Sequence, residues 1–166
     1  MTFLTTLCKR KMDGERNLKI KLIVIGKVKE QYYRDMIAGA VADISGRTPI
    51  EIVELPDESI PVNAGDRVME DIKQREGKRI LDNITSRDYV IALCIEGKMT
   101  DNEELAGVFE KAEAAGKENI VMVIGGSLGL HESVTARADY RLSFSRMTFP
   151  HQLMRAMLLF VISDIV

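Results

Sequence analysis

The chain has 166 residues, of which 46% are hydrophobic and 29% are charged, and its formal net charge is −2. This length suffices for one domain with a substantial core, and the near-neutral charge excludes the strongly basic surface of a general nucleic-acid binder. Any RNA contact must therefore use a local patch. One candidate is the segment 141–160, which carries three arginines and His151 but no acidic residue. An arginine-bearing helix start on the surface is an equally good interpretation.

The cysteines and histidines predict neither a disulfide framework nor a metal site, because Cys8 and Cys94 lie far apart and only two isolated histidines are present. Cys94 falls in an apolar strand, where it reads as a small buried hydrophobe. A reducing cytoplasm fits, and no apolar run reaches transmembrane length. Residues 1–17 carry a basic cluster at Lys9–Lys11 but no signal-peptide core, so we interpret them as a disordered extension or a start codon assigned too early. Residues 18–166 are then a single domain.

Strand and helix patterns alternate from Leu18 onward. Short apolar segments predict strands over Leu18–Ile25, Ile50–Leu55, Tyr89–Ile95, Asn119–Ile124 and Tyr140–Ser143. Helical spacing or start signals predict helices over Glu30–Ile44, Asp66–Ile84, from a capping box at Thr100–Glu103 to Ala115, and from Pro150 onward. The second of these helices is expected to bury Val68, Ile72, Ile80, Leu81 and Ile84.

This alternation predicts an α/β domain with a mostly parallel sheet covered by helices on both faces. Ligands of such sheets bind beyond the carboxyl ends of the strands. The candidate ligand loops are therefore Leu93–Gly97, Gly125–Gly129 and Phe144–Phe149. Periodicity does not distinguish an open sheet from a knotted one, and the rarity of knots favours the open sheet.

The glycine-rich run at 125–129 matches neither the dinucleotide fingerprint nor the P-loop spacing. Its glycines either let the backbone approach a flat ligand or make a sharp turn. His131 follows this run near a helix start, where a surface or capping role is more common than catalysis, since only the adjacent Glu132 offers a carboxylate. The segment Glu96–Lys98 reads as a functional strand end or as a solvated turn. The adjacent Asp57 and Glu58 do not have the geometry of an acid/base pair.

Together these residues closely resemble the RlmH family, small SPOUT-class methyltransferases that modify 23S ribosomal RNA. The resemblance covers about Leu18 to Leu159. The matching features are Gly26-Lys27, Glu54-Leu55-Pro56, Glu76-Gly77 with Ile80-Leu81, Leu93 to Lys98, Ile124-Gly125-Gly126 with Gly129-Leu130, and Leu142 through Arg155. The string SFSRMTFPHQLMR within the last of these is long and unusual, which makes the match specific.

The resemblance implies a trefoil-knotted homodimer in the cytoplasm. Members of the RlmH family transfer a methyl group from S-adenosyl-L-methionine to N3 of pseudouridine 1915 in helix 69 of 23S ribosomal RNA, a step of rRNA processing. Carried over residue by residue, the implied cofactor-binding set is Leu93, Gly125, Phe144, Ser145, Arg146, Met147, Thr148 and Phe149. His151 and Arg155 are candidates for RNA binding. The acceptor nitrogen must lose a proton, and the sequence assigns no base for it.

The sequence departs from the family in its last residues. The family's final helix continues into a short tail bearing a tyrosine–histidine pair, whereas this chain reads FVISDIV over 160–166. We therefore expect a truncated C-terminal tail. The alternative to an active methyltransferase is a relative that binds S-adenosylmethionine without methylating RNA. A third interpretation is a nucleotide- or flavin-binding module on an open sheet.

Overall fold

The computed structural model describes residues 18–166, which form five strands and five helices. The strands are β1 (Lys19–Ile25), β2 (Ile50–Leu55), β3 (Asp88–Met99), β4 (Asn119–Ile124) and β5 (Tyr140–Ser143). The helices are α1 (Gln31–Ser45), α2 (Asp66–Leu81), α3 (Asn102–Ala114), α4 (Glu132–Arg137) and α5 (His151–Ile165). Four of the five predicted strands agree with these bounds to within a residue, and β3 is longer than expected.

All strands are parallel and lie in the order β2-β1-β4-β3-β5. Helices α1, α3 and α5 pack on one face of this sheet, and α2 and α4 pack on the other. Strands β1 and β4 are covered on both faces, which explains their nearly continuous apolar sequences. The predicted α/β class with a helix-covered parallel sheet is confirmed. The trefoil knot stays a prediction.

Strand β3 continues four residues beyond its predicted end because it bulges and then pairs again. Leu142 of β5 is aligned with Leu93 before the bulge and with Lys98 after it. A side-chain carbon on Gly97 would lie 2.5 Å from the Leu142 carbonyl carbon, so only glycine lets the two backbones approach this closely. The segment Glu96–Lys98 therefore belongs to strand β3, so of the two interpretations left open for it the solvated turn is wrong.

Two details of the predicted helices are also wrong. Val68 on α2 is 41% exposed, whereas Ile72 and Ile80 are buried as expected. Helix α3 is capped by Asp101, whose carboxylate accepts the Glu104 N–H at 2.8 Å, one residue later than the predicted capping box places it. Aspartate and threonine are both good caps, so the sequence does not show which of the adjacent Thr100 and Asp101 caps α3.

The final helix contributes to the core through to its last turn. Ile162 is fully buried, and Ile165 and Val166 pack against the same core as α1 and α3. Arg47, just after α1, donates to the Val166 carbonyl at 2.7 Å and to the Ser163 hydroxyl at 3.1 Å. The apolar character of residues 160–166 thus has a structural reason. None of the helices within 18–166 is long and apolar enough to cross a membrane.

Candidate functional site

The three predicted ligand loops meet around one cavity of about 600 Å³ at the carboxyl ends of β3, β4 and β5. Of the eight residues expected to bind a cofactor, seven line this cavity, and only the exposed Arg146 does not. The seven are Leu93, Gly125, Phe144, Ser145, Met147, Thr148 and Phe149. The fold therefore brings together residues that lie up to 56 positions apart in the chain.

The first wall of the cavity is the glycine turn after β4. Gly126 and Gly129 form a bridge across the turn, and the Gly129 N–H donates to the Gly126 carbonyl at 3.0 Å. A side-chain carbon on Gly125 would lie 2.7 Å from the Gly129 carbonyl carbon. Of the two roles left open for these glycines, the structure favours the sharp turn, because the turn's own backbone requires glycine at 125. Ser127 and Leu128 at its tip line the cavity.

The second wall is the loop between β5 and α5. The Ser143 hydroxyl donates to the Ser145 carbonyl at 3.0 Å, and the Ser145 hydroxyl accepts the Met147 N–H at 3.0 Å. These bonds hold the loop in a tight course, so that Phe144 and Phe149 line the same cavity. These two half-buried aromatic residues give this wall its apolar character.

The third wall is the bulge of β3, which places Cys94, Ile95 and Glu96 at the cavity. Cys94 is half-buried and lines the cavity, so its predicted burial in the core is wrong. Burial, and secondarily the nearby Glu96 carboxylate, raises the pKa of the Cys94 thiol. The thiol therefore stays protonated near neutral pH. Lys73 of α2 also lines the cavity, and no sequence pattern pointed to it.

His131 caps helix α4, which confirms the capping interpretation. Its Nδ1 accepts the Ser133 N–H at 3.2 Å and lies 2.7 Å from the Ser133 hydroxyl. Its Nε2 lies 3.3 Å from a carboxylate oxygen of Glu70 on α2. The sequence offered no partner carboxylate because this one is 61 residues away.

His151 is the first residue of α5 and lines the cavity next to the loop that carries Phe149. Burial lowers the pKa of its imidazole, the positive charge of Arg155 one turn later lowers it further, and Asp57 opposes both. Its ring is therefore neutral at neutral pH. This placement is compatible with contact to a ligand or to RNA.

Arg155 is 2% exposed, and its two terminal nitrogens have partners in the interior, so its guanidinium is not accessible to RNA. It donates to the carbonyls of Ile25 and Gly26 at 2.6 and 2.9 Å and lies 3.5 Å from the Glu54 carboxylate. The arginine ties the start of α5 to the ends of β1 and β2. We therefore correct its expected role from RNA contact to structural anchoring.

The loop after β2 is held by a second buried charged group, Glu76 of α2, whose role the sequence did not reveal. Glu76 is 5% exposed, and its carboxylate accepts the Glu58 N–H at 3.0 Å and lies against Gly126 of the glycine turn. Burial raises the pKa of Glu76. Glu58 itself is paired with Arg79 and Arg75, which lowers its pKa. The expectation that Asp57 and Glu58 are not an acid/base pair agrees with these ion pairs.

The family model described as "Predicted SPOUT methyltransferase" matches residues 18–162. The chain belongs to the SPOUT methyltransferase family. It is 50% identical over 141 residues to the ribosomal RNA large subunit methyltransferase H of Lactococcus lactis subsp. cremoris, with 85% of this chain and 89% of the relative covered. It is 48% identical to the protein of the same name from Clostridioides difficile, with 86% and 89% covered. The predicted membership of the RlmH family is confirmed, and the protein is a methyltransferase.

The fold is also found among solved structures. The crystal structure of a probable methyltransferase from Bordetella pertussis Tohama I matches with a TM-score of 0.52 at 12% identity, covering 90% of this chain and 95% of that one. At this identity the match supports the fold alone. The family's methyl-transfer chemistry requires a donor and an acceptor site, and the cavity at the carboxyl ends of β3, β4 and β5 is where the loops of the family motif converge.

Proposed function

We propose that the protein transfers a methyl group from S-adenosyl-L-methionine to N3 of pseudouridine 1915 in helix 69 of 23S ribosomal RNA, in the cytoplasm. The observation that carries the proposal is the convergence of three separate loops on one cavity in a chain that is about half identical to ribosomal RNA methyltransferases. The proposed cofactor residues are those seven of the predicted eight that line the cavity.

The residues present fit this cofactor. A volume of about 600 Å³ lies within the range of small-molecule sites. The walls combine apolar side chains such as Leu93, Phe144 and Phe149 with the backbone of a tight glycine turn. A sulfonium carries one positive charge, and Glu96 supplies a carboxylate to the same cavity. When bound, the cofactor supplies an electrophilic methyl group.

The chain's own contribution is mainly position. Methyl transfer is an in-line displacement, and holding two reactants in line lowers its barrier substantially. The turn at Gly125 and the hydrogen-bonded loop at Ser145 are both fixed by internal bonds, so neither wall has to reorganise when a ligand enters. The rings of Phe144 and Phe149 add an apolar surface to the cavity that holds the reacting centre.

RNA recognition is proposed to use the rim of the cavity. Arg146 is exposed beside the cavity, where it is better placed for a phosphate than for the cofactor. His151 remains at the cavity wall, whereas Arg155 is buried. With a net charge of −2, the chain attracts RNA weakly as a whole, so shape and neighbouring ribosomal surfaces must add to this local charge.

We also propose the homodimer that the resemblance implies. Helices α1 and α5 pack together and expose the apolar side chains Tyr32, Met36 and Phe160, which suit an interface. Light scattering on the purified chain should give twice the mass of 18.6 kDa. A monomer at micromolar concentration would contradict the proposed dimer and would leave the proposed cofactor site unaffected.

Calorimetric titration with S-adenosylmethionine tests the cofactor site. Ser127→Trp places an indole at the cavity and should weaken binding at least about tenfold, because the ring occupies the ligand's volume. Ser86→Trp, on an exposed turn before β3 at the opposite edge of the sheet, is the matched control and should bind like the wild type. Equal affinity in both variants, or no binding by the folded wild type, would refute the assignment. Gly125→Trp is unsuitable as a control because it would break the turn itself.

A further inference from the structure

The proposed reaction leaves one chemical requirement without a residue, namely the group that takes the proton from the acceptor nitrogen. The ring nitrogen of a pyrimidine imide carries a hydrogen, and a methyl group cannot be added there until that hydrogen leaves. The side chain that takes this proton must lie at the cavity and must be unprotonated at neutral pH. Four titratable side chains among residues 18–166 line the cavity: Lys73, Cys94, Glu96 and His151.

Two of these four are unsuited to accept a proton. Lys73 lies in an ion pair 3.4 Å from the Glu70 carboxylate. The Cys94 thiol keeps its proton because burial and the Glu96 charge raise its pKa. The Glu96 side chain is exposed, and carboxylates in general are weak bases against an imide. His151 is the remaining group, and a neutral imidazole is the side chain best matched to proton transfer near pH 7.

The surroundings of His151 differ from those of an ordinary surface histidine. No hydrogen bond fixes its ring within the described part of the chain, so both nitrogens are free for a ligand. The charged groups facing it are Arg155 on its own helix and Asp57 on the loop after β2. Arg155 is itself paired with Glu54 and two backbone carbonyls. The helix is thus anchored one turn behind the imidazole, which keeps the ring at the cavity wall.

We propose that His151 is the general base that accepts the proton of the acceptor nitrogen, an assignment that rests on the proposed function. The N–H bond of the acceptor breaks and its proton passes to the free imidazole nitrogen. The lone pair left on the acceptor forms the new bond to the methyl carbon as that carbon's bond to sulfur breaks. A neutral thioether, a methylated base and a protonated imidazole result, so charge and atoms balance.

Single-turnover methylation of large ribosomal subunits, with S-adenosylmethionine saturating, tests the assignment. His151→Asn should slow the step by about 100-fold or more, while the affinity for S-adenosylmethionine stays within about threefold. The wild type should lose rate at acidic pH, and this loss should disappear in the variant. Added imidazole should partly rescue His151→Ala. The control His131→Asn alters the chain's other histidine and should keep nearly full activity.

A second readout does not depend on activity. Only two histidines are present, so ring C–H resonances in a pH titration are assigned with the single variant His131→Asn. His151 should titrate below the ordinary value of about 6.5, and its resonances should shift when S-adenosylmethionine is added. If the His151 resonances do not shift when S-adenosylmethionine is added, His151 lies away from the reacting centre and the assignment is overturned.

The outcomes separate the two proposals. A wild type that methylates no ribosomal RNA refutes the proposed function, and the base assignment falls with it. An active wild type with an equally active His151→Asn overturns only the assignment. A slow His151→Asn with an unchanged pH profile, together with a His151→Ala that imidazole does not rescue, would also overturn it, because a structural role predicts that pattern.

Discussion

The starts of helices α4 and α5 each carry one of the chain's two histidines, and the two differ in what surrounds the ring. At α4, His131 accepts a backbone N–H with one nitrogen and meets Glu70 with the other. At α5, His151 has no hydrogen-bond partner within residues 18–166 and lines the cavity. Both nitrogens of His131 are occupied by structure, whereas those of His151 are left free.

A position at a helix start therefore does not by itself determine a histidine's role. Both residues lie at a helix start that would suit a cap. His131 is the cap because it is the residue just before α4 and has an extended backbone, from which its ring accepts the Ser133 N–H. At α5 the preceding Pro150 occupies the cap position, and anchoring passes to Arg155 one turn later. The start of α5 is thereby held without using its histidine.

The largest expected effect follows from removing that anchor. Arg155→Met should lower the free energy of unfolding by about 3 kcal/mol, because two buried carbonyls lose their donor and Glu54 loses its partner. It should also raise the pKa of His151, since the nearby positive charge is gone. Urea denaturation and the histidine titration measure the two effects. Arg146→Met, on the exposed part of the preceding loop, is the matched control and should change stability by less than about 0.5 kcal/mol.

A smaller effect is expected at the other helix. His131→Ala removes a cap and should cost about 1 kcal/mol of stability, with methyl transfer little changed. His151→Ala should show the opposite pattern, with stability within about 0.5 kcal/mol of the wild type and a large loss of activity. Thermal or urea unfolding beside single-turnover rates separates the two. If both variants lost stability and activity to the same extent, the two histidines would not have the different roles proposed for them.

The smallest effect is a pH dependence of stability. The pKa of His151 is lowered in the folded state, so below the ordinary value of about 6.5 the unfolded chain binds more protons than the folded one. The free energy of unfolding should therefore fall as pH drops from 7.5 to 5.5, and this fall should be shallower in His151→Gln. The raised pKa of Glu76 acts equally in both proteins, so their difference isolates the histidine. If the free energies of unfolding of the wild type and His151→Gln changed equally with pH, the half-buried position of His151 near Arg155 would be contradicted.

Much of the fold follows from the sequence because its strands are short, apolar and bounded by clear turn signals. Strands β2, β4 and β5 begin and end at their predicted residues. The bulge in β3 could not be predicted, since it exists only because Gly97 lets β5 approach within contact distance of its backbone. The hydrophobic pattern of β3 reflects only its own residues, so it gives no information about β5, which pairs with β3 on both sides of the bulge.

The candidate site was predictable at the level of loops and less so at the level of side chains. Strand-end logic and the family resemblance placed three loops at one edge, and the cavity lies there. Arg155 shares a basic segment with Arg146, yet one is buried and the other exposed, because only the former faces the carbonyls at the end of β1. Charge along a chain does not reveal which side of a helix meets the core. Glu70 and Glu76 were missed because their partners are distant in sequence.

Reverse transcription of treated ribosomal RNA shows whether this cavity supports methylation. The wild type is incubated with large subunits and S-adenosylmethionine, and primer extension is run through helix 69. A methyl group on N3 blocks base pairing, so the account predicts a new stop one nucleotide before pseudouridine 1915 that Ser127→Trp does not produce. Full extension with a wild type that binds S-adenosylmethionine would contradict the account and favour a relative that binds the cofactor without methylating RNA.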